Sequence, residues 1–146
     1  HKHVMHRPVK GLQLVYRRHS LQHHRFFTHQ YMQVDSLRDF KAVLFPPVLV
    51  IFFLFAAFLP MALLVNWALG ANASLLFTAT IMGYFLNYEL LHFAYHMPPG
   101  HWVHRMPYFN RMRALHTSHH NPHHMAHHNF NITYPIADWV MGTWRR

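Results

Sequence analysis

From residue 42 to residue 88 the chain contains no Asp, Glu, Lys or Arg, an uncharged interval of 47 residues bounded by Lys41 and Glu89. One bilayer crossing takes about 20 apolar residues, so this length predicts two crossings joined by a turn. Val43 to Val65 supplies 23 of them, about 35 Å as a helix. Pro46 and Pro47 fall in its first turns, where a missing N–H costs little, and Pro60 predicts a kink toward the far end. The stretch "NWALGANAS" (66–74) reads as the turn, with Gly70 and Asn72 as breakers and Trp67 as an interface anchor. Leu75 to His96 then gives a second crossing of 22 residues that ends on "YELLHFAYH".

The charges lie outside this interval. Thirteen Lys and Arg stand against four Asp and Glu, a formal charge of +9. Such a balance suits nucleic acid, anionic lipid or the cytoplasmic flanks of membrane helices, and the apolar interval favours the last two. Nucleic acid is not expected as a partner. With Lys and Arg on both flanks, both ends of the hairpin are expected on the cytoplasmic side, in a bacterial inner membrane or the endoplasmic reticulum. The opening "HKHVMHRPVK" has no apolar segment behind it, so no signal peptide is read there, and the chain is expected to begin inside a longer protein. Residues 1–41 are basic, with short amphipathic stretches such as "GLQLVYRRHSLQHHRFF" that predict helix lying at the membrane surface with Leu and Phe inward. The absence of cysteine excludes disulfides, zinc ribbons, thiolate nucleophiles and Cys-ligated iron–sulfur clusters.

Eighteen histidines divide seven to eleven around a His-free interval from Gln30 to Leu91. They form four groups: "HKHVMH" with His1, His3 and His6; "HSLQHH" with His19, His23 and His24; "HFAYH" with His92 and His96; and "HTSHH" with His116, His119 and His120. Helical residues three or four apart share a face. The spacing thus predicts that His19 points with His23, His92 with His96, and His116 with His119 and His120, each set toward one centre. His1 and His6, five apart, need a bend or two different metals. A single pair of this kind on a basic helix is commonly incidental, whereas ten clustered imidazoles exceed one tetrahedral zinc site and suit two first-row metals with positions left for oxygen. Four acids, with Glu89-x-x-His92 as the single Glu-x-x-His, are too few for a ferritin-like di-iron bundle, and no HExxH motif is present. Glu89 either orients His92 or ends a membrane helix among headgroups.

Taken in order, "HKHVMHRP", "HSLQHH", "FKAVLFPP", the hairpin, "ELLHFAYH", "LHTSHH" and "NFNITYPIADWVMGT" resemble the fatty acid hydroxylase / sterol desaturase superfamily of membrane-bound di-metal oxygenases. The resemblance covers nearly the whole chain as one domain (1–146), and the ordered set of His groups is its specific part. It implies an all-α integral membrane protein, a transmembrane hairpin whose cytoplasmic interfacial helices carry a His-rich dimetal site. Its metal ligands would be His1, His6, His19, His23, His24, His92, His96, His116, His119 and His120. His3, His127 and His128 are possible additional ligands, and Glu89 and Asp138 possible supporting groups. The implied cofactors are two iron ions, which zinc can replace in a purified sample, with O2 as co-substrate. The implied reaction is hydroxylation of a membrane lipid, with electrons from a cytochrome b5-like or ferredoxin-like donor. Three features depart from the family pattern: upstream membrane helices are missing, "HSLQHH" has three intervening residues where hydroxylases usually show two, and the additional His123, His124, His127 and His128 could supply a ligand in place of a listed one, with His128 the best candidate. The second keeps acyl-lipid desaturation open.

A non-catalytic metal-handling membrane protein is the rival from another class. Transport favours polar groups within the crossings, and these are sparse before Glu89. The run "IFFLFAAF" reads as lipid-facing before it reads as an acyl tunnel, and "YRRH" and "RMRALH" read as flanking charge or as phosphate contacts.

Overall fold

The computed structural model describes residues 1–145. It is all-helical: among those residues the only β pairing is an isolated bridge between Thr28 and Tyr31. The chain divides into two compact units, one made of His1–Leu44 with the chain from Leu90 onward, the other of Phe45–Glu89.

In the Phe45–Glu89 unit, α4 (Pro47–Phe53) opens on Pro47, whose missing N–H would have no helical partner there. A π-helical segment, Leu54–Phe58, leads into α5 (Leu59–Leu69). The ring of Pro60 would clash in a regular helix with the carbonyl four residues back, that of Ala56. Ala56 lies within the π-helical stretch, so the kink expected at Pro60 is taken up by a wider turn. The predicted turn 66–74 contracts to Gly70 alone, at φ 87°, where a β-carbon would be strained. α5 runs on through Asn66 and Trp67, and α6 (Ala71–Tyr95) starts at once. Three contacts link residues on either side of Gly70. Ser74 Oγ donates to Ala62 O at 2.8 Å, the Phe45 N–H donates to Glu89 Oε2 at 2.9 Å, and the rings of Phe45 and Phe85 meet at 6.5 Å.

With the short α3 (Phe40–Val43), the run Phe40–Leu69 is the one helical stretch among the described residues that is long and apolar enough to cross a membrane. Its most apolar window has a mean hydropathy of 2.9, and only 6% of that window is buried. The core helix of a soluble protein would be mostly buried; this one leaves Ile51, Phe55, Leu63 and Leu64 more than half exposed.

The other unit begins with a turn at residues 2–5 and a continuous helical run: α1 (Gln13–Tyr16), a π-helical segment (Arg17–His23) and α2 (His24–Phe26). Of the Leu and Phe expected inward, Phe27 is buried while Leu14 and Phe26 are exposed, and the buried face also carries Val15, His19, His23 and His24. A small apolar cluster of Phe27, Met32, Val34 and Val43, with Phe40, Ala42, Phe93 and Met97 against it, lies beside those imidazoles. The Val34 N–H donates to His96 O at 2.8 Å and fixes the extended segment to the end of α6. A 3₁₀ turn (Trp102–Arg105) precedes α7 (Pro107–His119), and Arg113 Nε donates to Tyr95 O at 3.0 Å to hold α7 against that same end.

The last segment hangs on α8 (Ile136–Val140). Asp138 is buried, and its carboxylate accepts the N–H groups of Phe130 (2.9 Å) and Asn131 (2.7 Å) and the Thr143 hydroxyl (2.6 Å). Removing it leaves three donors unpaired. Asp138→Ala is therefore expected to cost about 3 kcal/mol or more, read as a lowered thermal midpoint, and Asp138→Asn to lose much of the same because its NH2 would face an N–H. Wild-type midpoints in both variants would contradict this anchoring role.

Candidate metal centre

Ten imidazoles gather inside the first unit from four stretches of chain. The π-helical winding of Arg17–His23, in which residues five apart bond, brings His19 and His24 together with their Nε2 atoms 3.1 Å apart. α6 carries His92, with His96 just past its end; α7 carries His116 and His119, with His120 at its cap. The turn at residues 2–5, closed by Met5 N–H to His1 O at 3.0 Å, supplies the bend that His1 and His6 need.

The ligand atoms form two groups: His23, His92, His96, His116 and His120 in one, and His1, His6, His19 and His119 in the other, with every atom within 4.8 Å of the rest of its group. In the first, Nε2 atoms run in series at 3.1 Å: His92 to His23, His23 to His120, His120 to His116, and His116 to His96. In the second, His1 lies 2.7 Å from His19 and 3.3 Å from His6, and His6 lies 2.9 Å from His119. His24 adjoins the second group through His19, and its ring stacks at 4.2 Å on that of His120 in the first.

The helical spacing read from the sequence therefore sorts the ligands only in part. His92 with His96 and His116 with His120 share a group as expected. His19 and His23, four apart, keep their rings stacked at 5.4 Å yet fall into different groups, and His119 leaves His116 and His120 for the other group.

Which nitrogen faces inward is decided by the other one. The Nδ1–H groups of His1, His23, His96, His119 and His120 donate to the backbone carbonyls of Phe130, Ala42 (2.8 Å), Met32 (2.6 Å), His128 (2.9 Å) and Phe27 (2.6 Å). Ser20 Oγ gives its own proton to Met5 O at 2.7 Å and so accepts from His6 Nδ1 at 3.2 Å. With the proton on Nδ1, Nε2 is a bare lone pair. Pairs fixed on both sides, His1 with His6, His6 with His119 and His23 with His120, thus point lone pairs at each other from 2.9–3.3 Å. That contact is repulsive unless a cation sits between the rings. Two nitrogens at right angles on a metal about 2.1 Å away stand about 3.0 Å apart, and the observed spacings match. The donor set fits metal ions.

Protons cannot replace the metal near neutrality. Burial, with neighbouring imidazoles adding repulsion, lowers the affinity of His19, His24, His116 and His120 for a proton well below the ordinary histidine range. Burial lowers His6 and His23 to about 4 and His119 to about 3. A neutral, desolvated imidazole is the form that ligates.

The remaining candidates stand outside both groups. His3 and His127 are exposed; His128 offers its carbonyl, not its ring, by accepting from His119 Nδ1. Asp138 acts one step further back, since it holds the backbone of Phe130, whose carbonyl orients His1. Glu89 accepts the Phe45 N–H within its own unit. Sequence reasoning missed Ser20 and the five orienting carbonyls. Ser20, inside "HSLQHH", was open to notice; carbonyls carry no sequence signal.

Compared with known proteins, the chain matches no family model, no curated protein and no solved structure.

The depressed proton affinities carry a sign. Unfolded imidazoles take up protons from about pH 6.5 downward, whereas the buried ones wait until about pH 4 or below. Stability is thus full above about pH 6.5 and drains as the pH falls through this window. The thermal midpoint of chelator-treated protein is expected to fall steeply between about pH 6.5 and pH 4, and a flat midpoint there would contradict neutral burial of the cluster.

Proposed function

We propose that the protein is an integral membrane oxygenase that uses two irons, held by the two histidine groups, to hydroxylate a membrane lipid with O2. The observation that carries this reading is the pair of adjoining all-imidazole donor groups. A structural zinc site is satisfied by four ligands; this cluster offers nine or ten and no thiolate. Two irons in such a shell would supply the redox chemistry that an unactivated C–H bond requires. The balance is R–H + O2 + 2e⁻ + 2H⁺ → R–OH + H2O: one oxygen atom enters the C–H bond, the other leaves as water, and a separate electron-donor protein of cytochrome b5 or ferredoxin type supplies the electrons.

The chain's own residues have defined work in this scheme. The Nδ1–H bonds to backbone carbonyls fix the tautomer and orientation of the imidazoles, and burial keeps the rings neutral. Phe27, packed at 4.2 Å against His96, and Phe130, at 5.7 Å from His119, exclude water from the site. The reading of a transmembrane hairpin is supported by the exposed apolar run Phe40–Leu69 and by the contacts Ser74–Ala62, Phe45–Phe85 and Phe45–Glu89, which pair the stretches before and after Gly70 in antiparallel order. A helix that leaves the bilayer at His92 delivers its ligands at the depth where a lipid substrate arrives, and the basic flanks favour the cytoplasmic face. The resemblance to the fatty acid hydroxylase / sterol desaturase superfamily rests on the ordered sequence motifs, of which the histidine groups are the specific part.

Labelled O2 tests the reaction. Cells expressing the gene are expected to yield a lipid that retains one labelled oxygen atom, and His119→Ala to abolish it. An unlabelled new double bond would instead identify a desaturase, and an unchanged lipid profile would favour a metal-handling protein.

A further inference from the structure

On the outer side of the ligand-bearing helical run lies a shallow cleft of about 480 Å³ in which four cations meet: Arg18, Arg25, Arg38 and Lys41. None of the four makes an ion pair among the described residues; the one polar partner is Gln22, whose Oε1 accepts from Arg18 at 3.0 Å. Asp39, the single acid on the wall, is turned inward on its own loop, with Oδ2 accepting the N–H groups of Asp35 and Ser36 at 2.9 and 2.8 Å. Four cations against one carboxylate leave the cleft with net positive charge in a concavity, which focuses its field and favours an anion.

Its place in the chain narrows the anion. Arg38 and Lys41 bracket the start of the apolar run Phe40–Leu69, and Phe26, half exposed, stands on the rim. Cations next in sequence to an apolar run that can cross a membrane, beside an exposed aromatic ring, suit a phosphate with acyl chains attached. Guanidinium forks match phosphate oxygens bidentately, and the acyl chains favour that anion over a free carboxylate. We infer that this cleft binds the phosphate headgroup of an anionic phospholipid, resting on the membrane reading above. Ala42, on the same wall, accepts from His23 Nδ1 through its carbonyl at 2.8 Å, so the bound headgroup sits one residue behind a metal ligand.

The test uses the full-length, metal-loaded protein in neutral detergent, titrated with short-chain phosphatidylglycerol, short-chain phosphatidylcholine and inorganic phosphate. Two double variants, R18Q/R25Q and R38Q/K41Q, are compared at unchanged metal content, so that one serves if the other fails to fold. Wild type is expected to prefer phosphatidylglycerol over both other probes, and each double variant to bind it about thirtyfold more weakly, as the loss of two headgroup contacts implies. Unchanged binding in both variants overturns the inference, as does equal binding of inorganic phosphate. So does a loss confined to reduction by an acidic donor protein, which would make the cleft a protein-docking surface. Extraction of the protein from phosphatidylcholine vesicles by alkaline carbonate counts against the membrane reading and this inference together; stable insertion without headgroup preference counts against this inference alone.

Discussion

The structure depends on an arrangement that is unfavourable by itself: imidazole lone pairs facing one another across about 3 Å in a desolvated interior. The Nδ1–H bonds to Phe130, Ala42, Met32, His128 and Phe27 leave those rings no tautomeric escape, and the low proton affinity of His6, His23 and His119 leaves no protonic one near neutral pH. A bound cation would resolve the conflict, and its binding would then be coupled to folding of this unit.

Eight histidines are buried beside thirteen hydrophobic residues among the described residues, so imidazole makes up a large share of the interior, and a cluster around Phe27 packs beside it. The carbonyls that orient the rings come from segments far apart in sequence, so each ligand is also a tertiary tie: His120 reaches back to Phe27, His23 to Ala42, His96 to Met32. Asp138 extends the same logic to the chain end, pinning Phe130 and, through it, His1. Of the ties made by His120, His23 and His96, those of His120 to Phe27 and of His96 to Met32 join residues 93 and 64 apart in sequence and so carry the larger loop-closure entropy.

Much of this was legible in the residues. Charge depletion between Lys41 and Glu89 marks the apolar helix, because charge is what a bilayer excludes, and prolines at 46 and 47 mark its start. The four histidine groups were legible as clusters, and of the ten histidines that the resemblance names as ligands, nine fall into the two groups while His24 adjoins them. Their partition did not follow, because helical spacing tells which residues share a face, as the stacked rings of His19 and His23 do, and not which of two adjoining groups each one joins. The same blindness applies to the turn: "NWALGANAS" is rich in breakers, yet Ala, Asn and Ser continue a helix readily once Gly70 alone has absorbed the positive φ. Backbone acceptors such as Phe130 O are fixed by tertiary placement, which no local signal encodes.

The central claim is that imidazoles from the two flanks of one apolar segment meet on a pair of metal ions. X-ray absorption at the metal edge, with metal content measured on the same purified full-length protein, tests it most directly. The account predicts two ions per chain in a shell of nitrogen and oxygen with several imidazoles per ion at about 2.0–2.2 Å. A single ion per chain, or a shell with at most one or two imidazoles, would contradict it.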